Sequence, residues 1–421
     1  SGDESAADTI VVNTCGFLES SRSEALDIIR ELADRKRAGA LRRIVVAGCL
    51  VQRDGDKLLE AVPEIDALVG VNNRDDVVRA VWRMDRDAAI DRYLGEYHPQ
   101  PWSDQGRLRL TPQHYAYVRI SEGCNQKCTF CTIPSIRGPM HSKTPAQLIA
   151  ECRELISDGA RELILIGQDT TSYGTDIGYE HGLAGLLREL DAACDGARWI
   201  RLMYVYPSVF TDDMIAAIAE CARVVKYIDI PLQHVSDRML RAMGRRVTRQ
   251  QTEVLLDKLR SRIPGVSIRT TFIVGFPGET EADFAELCDF VRDFGFDAAG
   301  AFRYSHEPET PAGRMNGRLD DAVIAARHER LMLAQQEVAF ARARARIGQS
   351  FDIVVDGVTD RGEPAGRHAG QAPEVDGVCL VESGQHRPGT CLPVRCVGTA
   401  GYDLLVKPTR RSLPVAAARG A

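Results

Sequence analysis

The chain has no apolar run of the roughly eighteen residues that a membrane-spanning helix needs, and its first residues, SGDESAAD, are polar and acidic rather than basic and then apolar. Neither a membrane span nor a secretory signal is read, and the expected location is the cytoplasm. Twelve cysteines in 421 residues are too dilute for a disulfide framework. A reducing compartment keeps them as thiols, so clustering among them points to metal. A formal charge of −6 supplies no general attraction for polyanions, and nucleic-acid binding does not follow from bulk charge. The stretch SEGCNQKCTFCTIP, residues 121–134, holds three cysteines and lacks a nearby fourth.

What is present is enough apolar material, 44% of the residues, to fill more than one core. Residues 1–83 read as a small α/β domain, with strands TIVVN, RIVVAG and IDALVG separated by helices near 21–37, 56–61 and 75–82. Its first two strands run into Cys15 and Cys49. Residues 84–113, with scattered Pro, Asp and Gly and little periodicity, read as a linker.

Between 114 and 318, six short apolar strands alternate with helical stretches. Thr144, Thr248 and Thr280, each followed three residues later by Gln or Asp, predict capping boxes. Six strand-helix units imply a partial (β/α)6 barrel with functional residues at the strand C-terminal ends. A helix over 319–347 is expected to pack on the barrel. Residues 348–412 read as a small antiparallel β-domain, and 413–421 as a tail.

Cys124, Cys128 and Cys131 admit three readings. Three thiolates hold zinc if a fourth ligand arrives, and His141 is the nearest in sequence. They are also compatible with ordinary buried thiols. The reading favoured by the spacing is an iron–sulfur cube with one iron left open, to which a small molecule such as S-adenosylmethionine binds directly. Phe130 is then suited to cover the adenine or the cluster edge.

The pattern C-x3-C-x2-C after the first barrel strand resembles the radical S-adenosylmethionine superfamily. The segments NTCGFLES, AGCLVQR, IGQDTTSYG, DIPLQHVSDRMLRAMGR, IVGFPGET and APEVDG together resemble the methylthiotransferase family within it, in the branch that modifies ribosomal protein S12. The resemblance implies two [4Fe-4S] clusters, one on Cys124, Cys128 and Cys131 and an auxiliary one to which Cys15 and Cys49 contribute. Its third ligand belongs to an L-G-C-P-K-N-like segment absent ahead of Cys15, so a shortened N-terminus is expected and the auxiliary cluster is expected to be weakly held or missing. Taken alone, Cys15 and Cys49 would be ordinary buried cysteines.

Gln168, Asp169 and Thr170 are expected at the barrel mouth, either as an Asx turn or bonding around the cofactor. Gln233 is the expected pocket residue of its segment, beside a His234 that is equally compatible with a structural role. Gly275 and Gly278 allow close backbone approach, and the resemblance places their segment against the adenosyl group. The segment RYSHEPETPA, 303–312, is family-like but has Glu309 where glycine is usual, and no chemistry is assigned to it.

The implied reaction uses S-adenosylmethionine twice, once as methyl donor to sulfur and once as source of a 5'-deoxyadenosyl radical that takes a hydrogen from the β-carbon of an S12 aspartate. No acid–base dyad is needed for that abstraction, so no catalytic acid or base is assigned. The C-terminal β-domain resembles the TRAM module. Residues 346–410 contain seven Lys or Arg and eight Asp or Glu, among them Asp352, Asp356, Glu374 and Asp376. That balance is read as favouring a basic protein partner over a phosphate backbone. The run Arg342, Arg344, Arg346 is read as a solvated helix end, and Cys379, Cys391 and Cys396 as core or incidental thiols rather than another metal site. Expected partners are S12, free or in the small ribosomal subunit, and an electron donor, with the chain a monomer. The rival reading is a tRNA adenosine methylthiotransferase on the same clusters; a rival of another class is an inactive iron–sulfur module.

Overall fold

The strands Thr9–Thr14, Arg43–Gly48 and Ala67–Val69 pair in parallel and in sequence order. Helix Glu19–Arg37 covers one face, burying Ala25, Ile29, Leu32 and Ala33 at three-to-four spacing against Ile44 and Val46. The computed structural model describes residues 7–82, 90–95, 103–382, 384 and 386–409. The 413–421 tail and most of the centre of the 84–113 span lie outside them.

Part of that expected linker is a strand. Asp91–Tyr93 pairs with Ala67–Val69 as a fourth parallel strand, and the buried Asp91 carboxylate binds Arg43 at 2.8 Å. Three residues reading DRY show no hydrophobic alternation, so only the tertiary pairing reveals the strand. Residues 75–82 also differ from expectation: a 3-10 turn, Val71–Asp76, precedes the short α-helix Val77–Trp82.

The second unit has six parallel strands. Tyr115–Arg119, Glu162–Ile166 and Trp199–Leu202 form one group, and Tyr227–Asp229, Ser267–Val274 and Ala298–Arg303 the other, with a bridge from Ile200 to Val224 between them. Thr144 with Gln147, Thr248 with Gln251 and Thr280 with Asp283 each form the reciprocal capping box expected of them. Each box supplies two partners to otherwise orphaned helix N–H groups. The long helix, Asp321–Arg344, lies on the sixth strand, where His328 Nε2 meets Ala301 O at 3.0 Å. The fold is thus a partial (β/α)6 barrel.

The C-terminal domain is a closed five-stranded barrel rather than a purely antiparallel sheet, because Cys379–Val381 runs parallel to Asp403–Pro408. Closure removes the exposed strand edges that an open sheet would leave. Cys379 and Cys396 are buried in its core, as expected of them. Arg342 is taken up by Asp297, with contacts of 2.9 and 2.7 Å.

This domain seals the α/β barrel at the end opposite the strand C-termini. Tyr115, Ile164, Trp199 and Tyr227 pack there with Val354 and Ala372. Four of the eight acidic residues of 346–410 are engaged at this contact. Asp352 meets Arg198 at 2.7 Å, Asp356 meets His114 and Arg367 at 2.8 Å, and Glu374 and Asp376 each accept a tyrosine hydroxyl at 2.8 Å. They face the rest of the chain, so the composition of residues 346–410 does not describe that domain's free surface.

Candidate active site

Strand C-termini in a parallel α/β fold open onto loops, and the loop after Tyr115–Arg119 carries the three cysteines. Gly123 makes the turn into it: its φ is +74°, and a Cβ there would lie 2.3 Å from Pro139 O. Cys124, Cys128 and Cys131 then line one cavity of about 520 Å³, with Phe130, Gln168 and Gln233 on its walls. Those six sequence-expected residues are brought together. Gln233 adopts a φ of +72°, which is uncommon outside glycine, and is held there by bonds from its N–H to Thr271 O at 2.9 Å and from Ile273 N–H to its carbonyl at 2.8 Å.

Asp169 is buried and does two jobs. It accepts from Thr171 N–H at 3.1 Å in a local turn, and from Gln126 Nε2 at 2.8 Å in the cysteine loop. His234 has a structural role: its Nδ1 accepts the N–H groups of Val235 and Ser236, and burial pushes its pKa down to about 4.

Gly275 and Gly278 stand elsewhere. A Cβ on Gly275 would strike Ile324 of the long helix at 2.5 Å, and Gly278 donates its N–H to Gly317 O at 2.8 Å. Their positive φ values serve a turn stitched by the Glu279 carboxylate, which accepts from Gly275 and Phe276 N–H. Close packing against a helix, rather than against the thiol cavity, is what demands glycine at 275.

Further wall residues are Tyr204, Tyr206, Arg245 and Phe17, the last two from segments that carry the family resemblance without being assigned a role there. Tyr204, at φ +58°, and Tyr206 follow the third strand, where the strand-end rule alone points. Arg245 comes from the distant RAMGRR stretch; its guanidinium stacks 4.0 Å from the Tyr206 ring centroid and lies 3.6 Å from Cys128 Sγ. Phe17, two residues after Cys15, reaches the same cavity from the N-terminal domain.

Cys15 and Cys49 end adjacent strands and line a second cavity of about 910 Å³ together with Arg119, Glu122 and Arg137. Gly16 locks their loops together, since a Cβ there would lie 2.6 Å from Cys49 O. Arg137 joins the two thiol sets. It pairs with Glu122, two residues before Cys124, and its Nη2 lies 3.1 Å from Cys49 Sγ.

The donor set suits an iron–sulfur cube better than one ion. Among the described residues no three Cys, His, Asp or Glu side chains gather as they would around a single metal, and His141 is not on the thiol cavity. A cube instead spreads its thiolates over different irons. Burial pushes Cys124 up to about 11 and Cys131 up to about 12, so metal must displace their protons. Gln168 Oε1 and Arg245 Nε, both on the cavity, are buried without a hydrogen-bond partner, as groups awaiting a polar ligand would be.

Comparison with known proteins agrees with this layout. A model of the radical SAM superfamily matches residues 118–291, one of uncharacterized protein family UPF0004 matches 1–70, and one of the TRAM domain matches 347–408. A radical S-adenosylmethionine methyltransferase, TsrM, from Kitasatospora setae superposes with a TM-score of 0.54 at 19% identity, covering 74% of this chain and 66% of that one. The chain thus spans just under two thirds of that enzyme, and the likeness is one of fold. The ribosomal protein uS12 methylthiotransferase RimO of Anaeromyxobacter sp. (strain K) is 44% identical over 99% of this chain and 89% of its own length. That of Desulforamulus reducens is 43% identical over 96% and 91%. Identity at this level, sustained across all three domains and joined to a thiol-lined cavity at the barrel mouth, places the chain in the ribosomal protein uS12 methylthiotransferase family of radical SAM enzymes.

Proposed function

We propose that this chain replaces a β-hydrogen of an aspartate in ribosomal protein S12 with a methylthio group. Cys124, Cys128 and Cys131 would hold a [4Fe-4S] cluster, and S-adenosylmethionine would occupy the cavity they line. When bound, these two groups supply one-electron cleavage of a carbon–sulfur bond and hence hydrogen abstraction. Cys15 and Cys49 would contribute to an auxiliary [4Fe-4S] cluster at the second cavity. An electron donor is the further partner, and the chain acts as a monomer.

The chain's own residues orient and enclose. Asp169 holds Gln126 and so the cysteine loop; Phe130, Tyr204 and Tyr206 exclude water; Gln168, Gln233 and Arg245 offer polar contacts from three sides. Excluding water protects a reactive carbon centre from side reactions. The observation that carries the reading is Phe17: a residue of the Cys15 loop forms part of the wall around the three barrel thiols. The domain that carries Cys15 and Cys49 therefore supplies part of the wall around the barrel thiols.

The test is anaerobic incubation of reconstituted protein with reductant, S-adenosylmethionine and either S12 or tRNA. Expected are 5'-deoxyadenosine and a methylthio mass gain on S12 alone. A gain on tRNA alone, or no 5'-deoxyadenosine from a fully loaded reducible cluster, overturns the reading.

A further inference from the structure

The segment RYSHEPETPA after the sixth strand has no part in the chemistry above, yet it contains a carboxylate withdrawn from water: Glu307 is 2% exposed. A buried carboxylate needs its oxygens filled, and apart from Ser305 Oγ at 2.9 Å the partners of this one come from the N-terminal domain. Its Oε1 accepts from Glu19 N–H at 3.1 Å, and its Oε2 lies 3.1 Å from Arg22 and 2.7 Å from Arg53.

Arg53 is the informative partner. Its side chain is 7% exposed, and it sits on helix Cys49–Asp54, which begins at one thiol of the second cavity. Its Nη1 donates to Gly16 O at 2.9 Å, the residue after the other thiol, and reaches Phe17 O at 3.4 Å. The guanidinium therefore spans both cysteine-bearing loops while its Nη2 is anchored to the barrel domain. Glu309 adds a second carboxylate at 2.7 Å, from the more exposed side.

We propose that Glu307 is a positioning residue which, through Arg53, fixes the Cys15 and Cys49 loops over the barrel mouth and so sets the approach between the sulfur source and the target carbon. This rests on the function proposed above. Hydrogen abstraction needs only the barrel site, whereas sulfur transfer needs both sites in register, and a displacement of about an ångström is enough to cost roughly a hundredfold in rate.

The experiment uses the complete protein with reconstituted iron–sulfur centres. Glu307→Gln keeps the side-chain shape but removes the charge facing Arg22 and Arg53. It is expected to form 5'-deoxyadenosine within about twofold of the parent rate, while methylthiolated S12 per 5'-deoxyadenosine falls at least about tenfold. Arg53→Lys keeps the charge but loses the fork that reaches Gly16, and an intermediate fall is expected. Hydrogen exchange should accelerate at 13–20 and 49–54 in both variants. An unchanged product ratio, a parallel fall of both products, or unchanged exchange overturns the proposal. If Glu307→Gln does not fold, Arg53→Lys is judged by the same measurements. A parent that forms no 5'-deoxyadenosine sinks the proposed function, and hydrogen exchange then decides the latch by itself.

Discussion

Arg367 of the C-terminal barrel lies 2.8 Å from the carboxylate of Glu162, which opens the second strand of the α/β barrel, and both side chains are 2% exposed. Arg201 takes the other oxygen at 2.6 Å. Desolvation alone would favour a neutral Glu162; the two guanidinium groups outweigh it and hold its pKa below the usual range. The triad ties the floor of the catalytic barrel to the closing domain.

Removing one partner from a buried charge cluster leaves the others uncompensated, at a cost of about 3–5 kcal/mol. Glu162→Ala is therefore expected to lower stability by that amount, read as a shift in the urea midpoint with an unchanged slope. A loss below about 1 kcal/mol would place this contact with ordinary surface pairs.

Two histidines set a pH dependence. Burial, with Arg346, Arg201 and Arg367 nearby, pushes His368 down to about 3, and burial pushes His234 to about 4. In the unfolded chain both titrate near their ordinary value of about 6.5. Below that pH the unfolded state binds protons that the folded state refuses, so stability is full above about 6.5 and falls on acidification until the folded pKa values are reached. Each contributes a loss of about 2 kcal/mol by about pH 5. His368→Gln should make stability less steeply dependent on pH between about 6 and 4 than in the parent; an unchanged slope argues against a buried neutral ring.

Gly123→Ala tests the turn into the cysteine loop. A Cβ cannot sit 2.3 Å from Pro139 O at a φ of +74°, so the loop must shift and carry Cys124 with it. Iron bound per chain at the barrel site should fall, and 5'-deoxyadenosine formation should drop at least about tenfold, consistent with ångström-scale misplacement.

Asp169→Ala removes the acceptor that holds Gln126 at 2.8 Å and Ser172 Oγ at 2.7 Å. It also leaves the buried Thr171 N–H without its acceptor, which costs about 1–3 kcal/mol. The expected outcome is weaker S-adenosylmethionine binding by about tenfold or more, measured by equilibrium dialysis on the reconstituted protein. Unchanged affinity would separate this network from the cofactor pocket.

Much of the site could be read from residues near one another in the chain. The Cys124–Cys131 spacing, the capping boxes at Thr144, Thr248 and Thr280, and Gln168 and Gln233 at strand ends all follow from local hydrogen bonding and strand period. Gly275 and Gly278 do not line the thiol cavity, and a glycine reports only that something approaches closely, without saying what. At Gly275 it is Ile324.

Apart from the strand Asp91–Tyr93 and the turn Val71–Asp76, the main strands and helices, their order, and the thiols that stand at strand ends follow from patterns a few residues long. Tertiary structure decided which charges meet. Asp352 and Asp356 are drawn to Arg198 and His114 of the α/β barrel, Arg245 arrives beside Cys128, and Glu307 grips Arg53. Partners separated by tens to hundreds of residues are chosen by packing and by the cost of burying a charge alone, and neither cost is written in any local stretch of the chain.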